Sequence, residues 1–429
     1  MKELKLMQHQ QDALEVTADL NRVAFYHDMG LGKTFTGSEK MMRIGSPVNL
    51  IICQKSKIND WCDHLQEYYD HIIVLDLTNR KSLQCFMQWS EYPFEDKTLC
   101  GVVNYETAFR RPELLNLNCF TLMLDESSLI SNENAKRSKF ILKMRPDNVI
   151  LLSGTPTAGK YEKLWSQCKL LGWDISKQAF WKSYVETKWI DVGCFRQEVV
   201  TGYKNVGHLK KQLAKHGALF LKTEEVMNLP ERVEQNIFLK PTKEYKTFRK
   251  NNYLCLGDNE LIGDNTLTKI LYSRQLCGQY HKAKLEAFRD LLESTEERVL
   301  VFYNFTAELD QMRMIVNDLN RPHGAVNGKQ RNTKPYEESE NSVTFIQYQA
   351  GAMGGNFQKA NRIIYFSLPL GKGSCDLWEQ SKKRIHRIGQ DRTCFYYYLL
   401  VKDSIEMWNL EALKEGKDFT NELFEKKSN

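Results

Sequence analysis

Short runs of β-branched and apolar residues recur along this chain, and polar stretches with helical character separate them. The runs are at positions 23–26, 48–53, 72–75, 101–103, 120–124, 149–152, 299–303, 343–347, 363–366 and 395–401. A strand that is apolar along its whole length must be buried on both faces, as in a parallel sheet that helices cover. The pattern therefore predicts an α/β fold built on parallel sheets.

The length of the chain predicts more than one such sheet. It has 429 residues, whereas a single hydrophobic core stops growing at roughly 250 to 300 residues. The step from Leu229 to Pro230 is a suitable boundary, because proline rarely continues a regular element. We therefore predict one α/β domain at 1–229 and a second at 230–429.

Each predicted domain contains a stretch that departs from this alternation. The sequence at about 161–229 is amphipathic and rich in aromatic residues, and its tryptophans lie eight residues apart. These tryptophans are Trp165, Trp173, Trp181 and Trp189. The spacing is too short for a structural repeat and favours a helical insertion. At about 241–290, Leu267, Ile270 and Leu271 have the spacing of a helix core face, which predicts a second helical insertion.

Charge and cysteine usage exclude several classes of protein. The net charge of +6 and the pI near 8.6 allow a polyanionic partner. The 11 cysteines include no CxxC pair, which argues against a zinc site or a disulfide framework and indicates a reducing compartment. The chain has no signal-peptide pattern and no apolar run near the ~18 residues of a membrane span. We therefore expect a cytoplasmic protein.

The segment DMGLGKT lies between a predicted strand and a predicted helix, which is the setting of a phosphate-binding loop. The residues predicted to bind nucleotide here are Met29, Gly30, Leu31, Gly32, Lys33 and Thr34. Gly30 and Gly32 allow backbone N–H groups to approach phosphates, Lys33 neutralises phosphate oxygens, and Thr34 is the expected Mg²⁺ ligand. His27 replaces the first glycine of the longer GxxxxGK[ST] form. A glycine turn that caps a helix is the alternative.

The segment LMLDESS places Asp125 and Glu126 at the end of a predicted strand. Asp125 is a candidate ligand for Mg²⁺, and Glu126 is a candidate to polarise the water that attacks the γ-phosphate. A solvated turn explains an isolated acidic pair equally well. The phosphate loop earlier in the chain favours the catalytic interpretation.

Two later segments carry polar groups suited to the same reaction. In LLSGTP, Ser153 and Thr155 are able to relay the state of the γ-phosphate, and an ordinary serine-threonine turn is the alternative. In QSKKRIHRIGQ, Arg384 and Arg387 are three residues apart, which predicts that they share one helical face. Two such guanidinium groups could stabilise charge on a transferred phosphoryl group, whereas a bare basic helix would only face solvent or phosphate.

Taken in order, these segments resemble the Swi/Snf family of DNA-dependent ATPases, within the superfamily-two helicases. The match along nearly the whole chain consists of LMQHQ, DMGLGKT, IICQKSKINDW, VVNYETA, DESS, SGTP, VLVFYNF, YQAGAMGGNFQKANRIIYFSLP and RIHRIGQ. LPERVEQNIFLKPTKEYKTF and ILYSRQLC resemble the opening of the family's second lobe. RIHRIGQ is the most specific of these segments.

The resemblance implies two RecA-like lobes that use ATP and Mg²⁺ and that pull one strand of double-stranded DNA through a cleft. It implies that Gln10 meets the adenine base, that Gln380 belongs to the nucleotide site, and that a closing helix occupies about 403–429. The residues that it places near DNA are Lys55, Asn104, Tyr105, Thr155, Gln349 and Asn356. Each of these six residues is also readable as an ordinary loop residue.

The chain departs from the family pattern at two positions. Ser128 stands where the family has the histidine of DEAH, and Gly159 replaces an asparagine that usually follows SGTP. Neither change removes a predicted catalytic residue. We therefore expect ATP hydrolysis to persist and its coupling to DNA movement to be altered.

Three functions fit the sequence to different degrees. The resemblance favours a monomeric translocase on double-stranded DNA that remodels DNA or protein–DNA complexes. A strand-separating helicase is the second possibility, with the 161–229 insertion able to contain a wedge hairpin. A non-enzymatic nucleic-acid clamp is the third and would not need Lys33 or Glu126. Compactness resembles bacterial and bacteriophage members, which suggests replication, recombination or repair, and a replication protein or nuclease as partner.

Overall fold

The computed structural model describes residues 3–157, 160–192, 195–226, 229–257, 259–348, 356–387 and 389–416. The chain divides into two compact units, Met1–Met227 and Asn228–Asn429. Each unit has its own parallel sheet and its own helices, which confirms the predicted α/β fold with two parallel-sheet lobes. Within the described ranges, none of the helices combines the length and the apolar character that crossing a membrane requires.

The first unit contains the following described elements. Its strands are β1 (Arg22–His27), β2 (Val48–Cys53), β3 (Ile72–Asp76), β4 (Thr98–Asn104), β5 (Phe120–Asp125), β6 (Asn148–Leu152), β7 (Val185–Val192), β8 (Phe195–Tyr203) and β9 (Ala218–Leu221). Its helices are α1 (Gln8–Val16), α2 (Lys33–Ile44), α3 (Ile58–Tyr68), α4 (Arg80–Glu91), α5 (Tyr105–Ala108), α6 (Lys136–Ile141), α7 (Trp165–Leu170), α8 (Lys177–Tyr184), α9 (Val206–Lys215) and α10 (Thr223–Val226). Short 3₁₀ turns occupy Lys55–Lys57, Pro112–Asn116, Ser127–Ile130 and Tyr161–Leu164.

Seven strands of the first unit form one sheet in the order β3-β4-β2-β5-β6-β1-β9, and each neighbouring pair is parallel. Strand β2 shows why these strands are apolar throughout. Its Leu50 and Ile52 pack into the hydrophobic core on one face, whereas Ile51 and Cys53 pack into the core on the other. Because alternate side chains point to opposite faces, both sets must be apolar.

The second unit contains the following described elements. Its strands are β10 (Arg232–Leu239), β11 (Tyr253–Leu256), β12 (Asn259–Ile262), β13 (Val299–Tyr303), β14 (His323–Val326), β15 (Val343–Gln347), β16 (Arg362–Tyr365) and β17 (Cys394–Val401). Its helices are α11 (Lys243–Asn251), α12 (Thr266–Cys277), α13 (Lys282–Glu293), α14 (Thr306–Asp318), α15 (Lys334–Glu338), α16 (Ser374–Lys382) and α17 (Ile405–Lys414).

The second sheet has six strands in the order β10-β17-β16-β13-β15-β14, again with parallel neighbours. Strand β13 contributes side chains to the hydrophobic clusters on both faces of the sheet. Leu300 and Phe302 lie in one cluster, and Val301 lies in the other. A buried ion pair, Lys284 with Glu406, joins α13 to α17. The sheet is therefore covered by an apolar layer on each face, a third apolar cluster packs α11 and α12 against α17, and the buried ion pair adds to these contacts.

The two stretches predicted to be helical insertions are only partly helical. Strands β7 and β8 form a separate antiparallel hairpin at 185–203, and β9 joins the main sheet at its edge. In the second unit, β11 and β12 form another small antiparallel pair. The valines and threonines of 185–203 favour extended backbone, which the helical interpretation overlooked. Of the predicted closing helix at 403–429, α17 covers the described part, and residues 417–429 lie outside the described residues.

Candidate nucleotide site

The loop between β1 and α2 has the backbone of a phosphate-binding turn. Gly30 and Gly32 adopt φ values of 93° and 68°, in the left-handed region that side chains rarely enter. A Cβ atom on Gly32 would stand 2.3 Å from Nε2 of Gln10, so a larger residue would displace the Gln10 side chain from its contacts with the loop. The loop ends at the first residue of α2, and the backbone N–H groups at a helix N-terminus attract anions.

Lys33 is the first residue of α2, and its side chain folds back over the loop. Its Nζ donates to the carbonyl oxygens of His27 at 3.0 Å and Asp28 at 3.1 Å. The ammonium group is therefore held at the loop by neutral acceptors. Thr34 follows in the first turn of α2 and is partly exposed, and the first turn has no acidic residue. The positive charge of Lys33 therefore lies at the N-terminus of α2, and both favour a bound anion.

Residues at the start of α1 form hydrogen bonds with the backbone of this loop. The Nε2 of Gln10 donates to the carbonyl oxygens of Leu31 at 3.3 Å and Gly32 at 3.1 Å, and its Oε1 accepts from the Met7 backbone at 2.8 Å. A ring nitrogen of His9 lies 3.1 Å from the Leu31 carbonyl. The Gln10 side chain is buried and fixes the loop in this conformation. Its contact with adenine stays a prediction.

His27 ends β1 beneath the loop and is almost fully buried. Burial, followed by the charges of Lys33 and His9, lowers the pKa of His27 to about 3. The imidazole is therefore neutral at physiological pH. Lys33 is the cationic side chain beside this neutral imidazole, and its contact with phosphate stays a prediction.

Asp28 connects the loop to a strand that the sequence did not predict. Its Oδ2 accepts from the backbone N–H of Thr223 at 3.2 Å and from the Thr223 hydroxyl at 3.3 Å. Its own N–H donates to the carbonyl of Leu221 at the end of β9. This support comes from 195 residues further along the chain, so no local sequence signal could have identified it.

The predicted acidic pair lies at the end of β5. Oδ2 of Asp125 accepts from the indole N–H of Trp61 at 2.9 Å, which orients the carboxylate. Glu126 follows with φ 58°, a left-handed conformation that is unusual for a residue with a side chain. Such strain is concentrated at functional sites. The acidic pair therefore has a fixed geometry and is not a freely solvated turn.

Two serine hydroxyls hold the carboxyl group of Glu126. Its Oε1 accepts from Ser128 at 2.8 Å and from Ser153 at 3.0 Å. Burial raises the pKa of Glu126, while the charge of Lys33 and the Ser128 hydrogen bond act in the opposite direction. Ser128, which replaces the family's histidine, thus contacts the predicted catalytic glutamate directly. Sequence reasoning placed both serines near the reaction but missed this shared contact.

The SGTP segment approaches the phosphate loop at Gly154. A Cβ atom on Gly154 would stand 3.0 Å from Cγ of Met29 and 3.4 Å from Nζ of Lys33. The backbone N–H of Thr155 donates to the Ser153 hydroxyl, which closes a small turn. Met29, Lys33, Glu126 and the SGTP turn are therefore neighbours, in agreement with the predicted grouping.

In the second unit, the structure contradicts the predicted shared helical face of Arg384 and Arg387. Helix α16 ends at Lys382, and both arginines lie in the turns that follow. Arg384 is buried, and burial lowers the pKa of Arg387 from its usual value. Gln380 is on α16 and is partly exposed. The three-residue spacing was therefore correctly noted but wrongly assigned to a continuous helix.

Contacts of Gln390 hold the turn after α16. The Nε2 of Gln390 donates to the carbonyl oxygens of Gln358, Ala360 and Ile385, which draws the chain back toward β16. Gly389 supplies a φ of 86° at the bend. Buried carbonyl groups without a hydrogen-bond donor are costly in free energy, and Gln390 can reach these three because the helix ends before it.

The residues predicted to face DNA differ in their exposure to solvent. Tyr105 is 1% exposed, and its hydroxyl donates to the carbonyl of Asp125, so its side chain supports the acidic pair. Asn104 is buried beside it. Neither side chain offers much surface to a DNA strand, and their contact with DNA stays a prediction. Lys55 and Asn356 are exposed, and Thr155 is partly so. Gln349 and Gly159 lie outside the described residues.

A parallel α/β unit with a glycine-rich loop, a following lysine and an oriented acidic pair defines the class of P-loop nucleotide-binding proteins. A sequence model described as "SNF2-related domain" matches residues 9–282, and one described as "Helicase conserved C-terminal domain" matches residues 283–389. The chain therefore belongs to the family of proteins with an SNF2-related domain.

Curated relatives agree with this family membership. The "Putative ATP-dependent helicase/translocase YwqA" of Bacillus subtilis (strain 168) is 25% identical over 92% of this chain and 45% of the relative. The "SWI/SNF-related matrix-associated actin-dependent regulator of chromatin subfamily A member 1" of Mus musculus is 24% identical over 88% of this chain and 39% of the relative. The chain spans less than half the length of these two relatives.

A solved structure also aligns along most of the chain. It is the "Sulfolobus solfataricus SWI2/SNF2 ATPase core in complex with dsDNA", with 19% sequence identity and a TM-score of 0.46. The alignment covers 96% of this chain and 91% of that chain.

Proposed function

We propose that this chain hydrolyses ATP and uses the reaction to move along double-stranded DNA. The single observation that carries the proposal is the grouping around the first sheet. Lys33 begins α2 at the phosphate loop, and Glu126 is held by two serine hydroxyls near that lysine. A protein that only clamped nucleic acid would not need a strained, partly buried carboxylate beside a phosphate loop.

Phosphate binding follows from the loop geometry. The N–H groups of Gly30 and Gly32 and the N-terminus of α2 offer donors for phosphate oxygens. Lys33 donates to the neutral carbonyl groups of His27 and Asp28, and a phosphate oxygen is a stronger acceptor for an ammonium group. We expect Lys33 to exchange these contacts for the β- and γ-phosphates of ATP.

Glu126 is the proposed group that orients the attacking water. It has to be ionised for this role, although burial raises its pKa. The hydroxyls of Ser128 and Ser153 donate to the carboxylate and favour its charged form. They also restrict the rotation of the carboxyl group, so that one oxygen remains available to water.

Oxygen donors suited to Mg²⁺ lie on the same elements. The hydroxyl of Thr34 and the carboxylate of Asp125, oriented by Trp61, are of the hard type that this ion prefers. We propose these two residues as its protein ligands. The ion would neutralise charge on the phosphates.

The second unit supplies the remaining proposed groups. We assign Arg384 and Arg387 to stabilising negative charge on the transferred phosphoryl group, a role worth roughly 10³- to 10⁵-fold in rate for arginine fingers. Gln380 is assigned to the nucleotide. The lowered pKa of Arg387 reflects burial, which a negatively charged phosphoryl group would offset.

Movement along duplex DNA is proposed from family membership and from the chemistry of exposed residues. The Bacillus relative is named a helicase/translocase, and Lys55, Thr155 and Asn356 are accessible candidates for phosphate contacts. Strand separation is the second candidate function. The antiparallel hairpin β7–β8, which stands apart from the main sheet, is the observation that favours it.

The experiment is a steady-state assay of phosphate release with and without duplex DNA. We expect faster hydrolysis with duplex DNA, and we expect Lys33→Ala to abolish it. Lys97→Ala, at an exposed lysine just before β4, is the matched control and should behave like the unchanged chain. Equal rates with and without any nucleic acid would contradict the motor function. Unwinding of a forked duplex would support the second candidate.

The pathway is a separate question, because the ATP site has the same chemistry in replication, recombination and repair. We propose one of these processes, with the chain acting as a monomer alongside a replication protein or nuclease. Affinity capture with the ATP-trapped Glu126→Gln variant tests this, since recovery of only chromatin-type or ribosomal proteins would contradict it.

A further inference from the structure

A groove separates α8 from the base of the β7–β8 hairpin in the first unit. Its volume is about 880 Å³. The residues that define this hairpin groove are Lys177, Trp181, Lys182, Glu186, Glu198 and Lys204. None of these six residues belongs to the candidate nucleotide site. The groove is therefore a separate feature of the same unit.

The lysines of the hairpin groove differ in their partners. Lys177 pairs with Glu133, and its ammonium group lies 5.9 Å from the centre of the Trp181 ring. Lys182 and Lys204 are exposed, and neither has an ion-pair partner among the residues that the structure describes. Two ammonium groups are thus available to an anionic ligand.

Aromatic surface is available beside these charges. The Trp181 indole lines the groove and is partly exposed, and Trp189 on β7 is 60% exposed. Indole rings commonly serve as stacking platforms for nucleic-acid bases.

We propose that the hairpin groove binds a single strand of DNA, with phosphates on Lys182 and Lys204 and a base on Trp181. The proposal rests on the proposed function in so far as DNA is the polymer that the motor follows. A ring gains stacking energy only from a base that is outside a duplex. This favours a single strand over a double strand.

The acidic residues of the groove fit the same ligand. Glu186 on β7 and Glu198 on β8 present carboxylates, which accept hydrogen bonds from exocyclic amino groups of bases. The hydroxyl of Thr187 already donates to Glu198 at 2.6 Å, which orients that carboxylate. The side chains of an acidic peptide would bring only acceptors to these two carboxylates, whereas a nucleotide strand also brings amino groups that donate to them.

The test is fluorescence anisotropy of a labelled single strand of about 20 nucleotides at several salt concentrations. Trp181→Ala should weaken binding by roughly 5- to 150-fold, and Trp181→Phe should retain most of the affinity. The double variant Lys182→Gln with Lys204→Gln should reduce the slope of log K against log salt by about 1.4, since each neutralised phosphate contributes about 0.7.

The matched control is Lys210→Gln with Lys211→Gln. These lysines lie on α9 in the same unit, are exposed and do not line the groove. The control should bind like the unchanged chain, and thermal unfolding of each variant checks its folding. The proposal would be overturned if both groove variants kept the affinity for the single strand and the slope of log K against log salt. It would also be overturned if poly-glutamate displaced the labelled strand at an equal concentration of charge.

The same samples distinguish this proposal from the proposed function. If the unchanged chain hydrolyses no ATP but its affinity for the single strand depends on Trp181 and Lys182, only the motor function fails. If duplex DNA stimulates hydrolysis and the groove substitutions leave single-strand affinity unchanged, only the groove proposal fails.

Discussion

Replacing Ser128 by alanine removes one of the two hydroxyl donors to Oε1 of Glu126. The hydrogen bond is 2.8 Å long, and its acceptor is the proposed catalytic carboxylate. A hydrogen bond to a charged group contributes about 1.5 to 3 kcal/mol, which corresponds to about 10- to 150-fold in rate. Because Ser153 still donates to the same oxygen at 3.0 Å, we expect the lower part of this range.

The change also has a predictable dependence on pH. The Ser128 hydrogen bond lowers the pKa of Glu126, against the larger effect of burial. Without it the pKa rises further, so a larger fraction of Glu126 is protonated at a given pH. The acidic limb of the kcat/KM profile for ATP should therefore move to higher pH. Loss of orientation should persist on the alkaline side, where Glu126 is ionised in both proteins.

The assay is duplex-stimulated phosphate release from about pH 5 to about pH 9, with Ser131→Ala as the control. Ser131 directly follows the same 3₁₀ turn, and no hydrogen bond joins its hydroxyl to Glu126 among the described contacts. If Ser128→Ala and Ser131→Ala give the same kcat/KM at every pH, the role assigned to Ser128 is wrong.

Two further substitutions test the fold around the sites. Gly32→Ala should weaken the binding of a non-hydrolysable ATP analogue by roughly 5- to 150-fold, from about 1 to 3 kcal/mol of strain, because its Cβ would meet Gln10. Gly45→Ala, at a φ of 70° with its nearest neighbour at 3.9 Å, is the control, and equal affinity in the two variants would refute the steric argument. Lys284→Met should lower the free energy of unfolding by about 3 to 5 kcal/mol, since it leaves Glu406 buried without its ion-pair partner. Urea denaturation measures this loss, and adding Glu406→Gln should restore part of it; a loss below about 1 kcal/mol would contradict the role of the pair.

The strands in the middle of both sheets were predictable because burial on two faces leaves an unmistakable apolar run. The runs at 48–53 and 299–303 are examples, and both correspond to central strands. The edge strands β9 and β10 were not predicted. β10 alternates between exposed and partly buried residues, so its sequence lacks the continuous apolar character on which the prediction depended.

The candidate site was predictable where chemistry and local sequence coincide. The order of strand, glycine loop and helix around Lys33 needed only neighbouring residues. The contact of Ser153 with Glu126 joins residues 27 positions apart and depends on the left-handed backbone of Glu126. The turns at Arg384 depend on Gln390, whose side chain donates to the carbonyl groups of Gln358 and Ala360. These two residues lie 32 and 30 positions earlier in the chain. Such tertiary contacts leave no periodic signal in the sequence.

Displacement of a triplex-forming third strand from duplex DNA tests the central claim most directly, because it reports ATP-driven movement without requiring strand separation. The unchanged chain should displace the third strand only when ATP is present. Glu126→Gln should bind the duplex and ATP but displace none. Displacement at the same rate without ATP, or by the Glu126→Gln variant, would contradict the account.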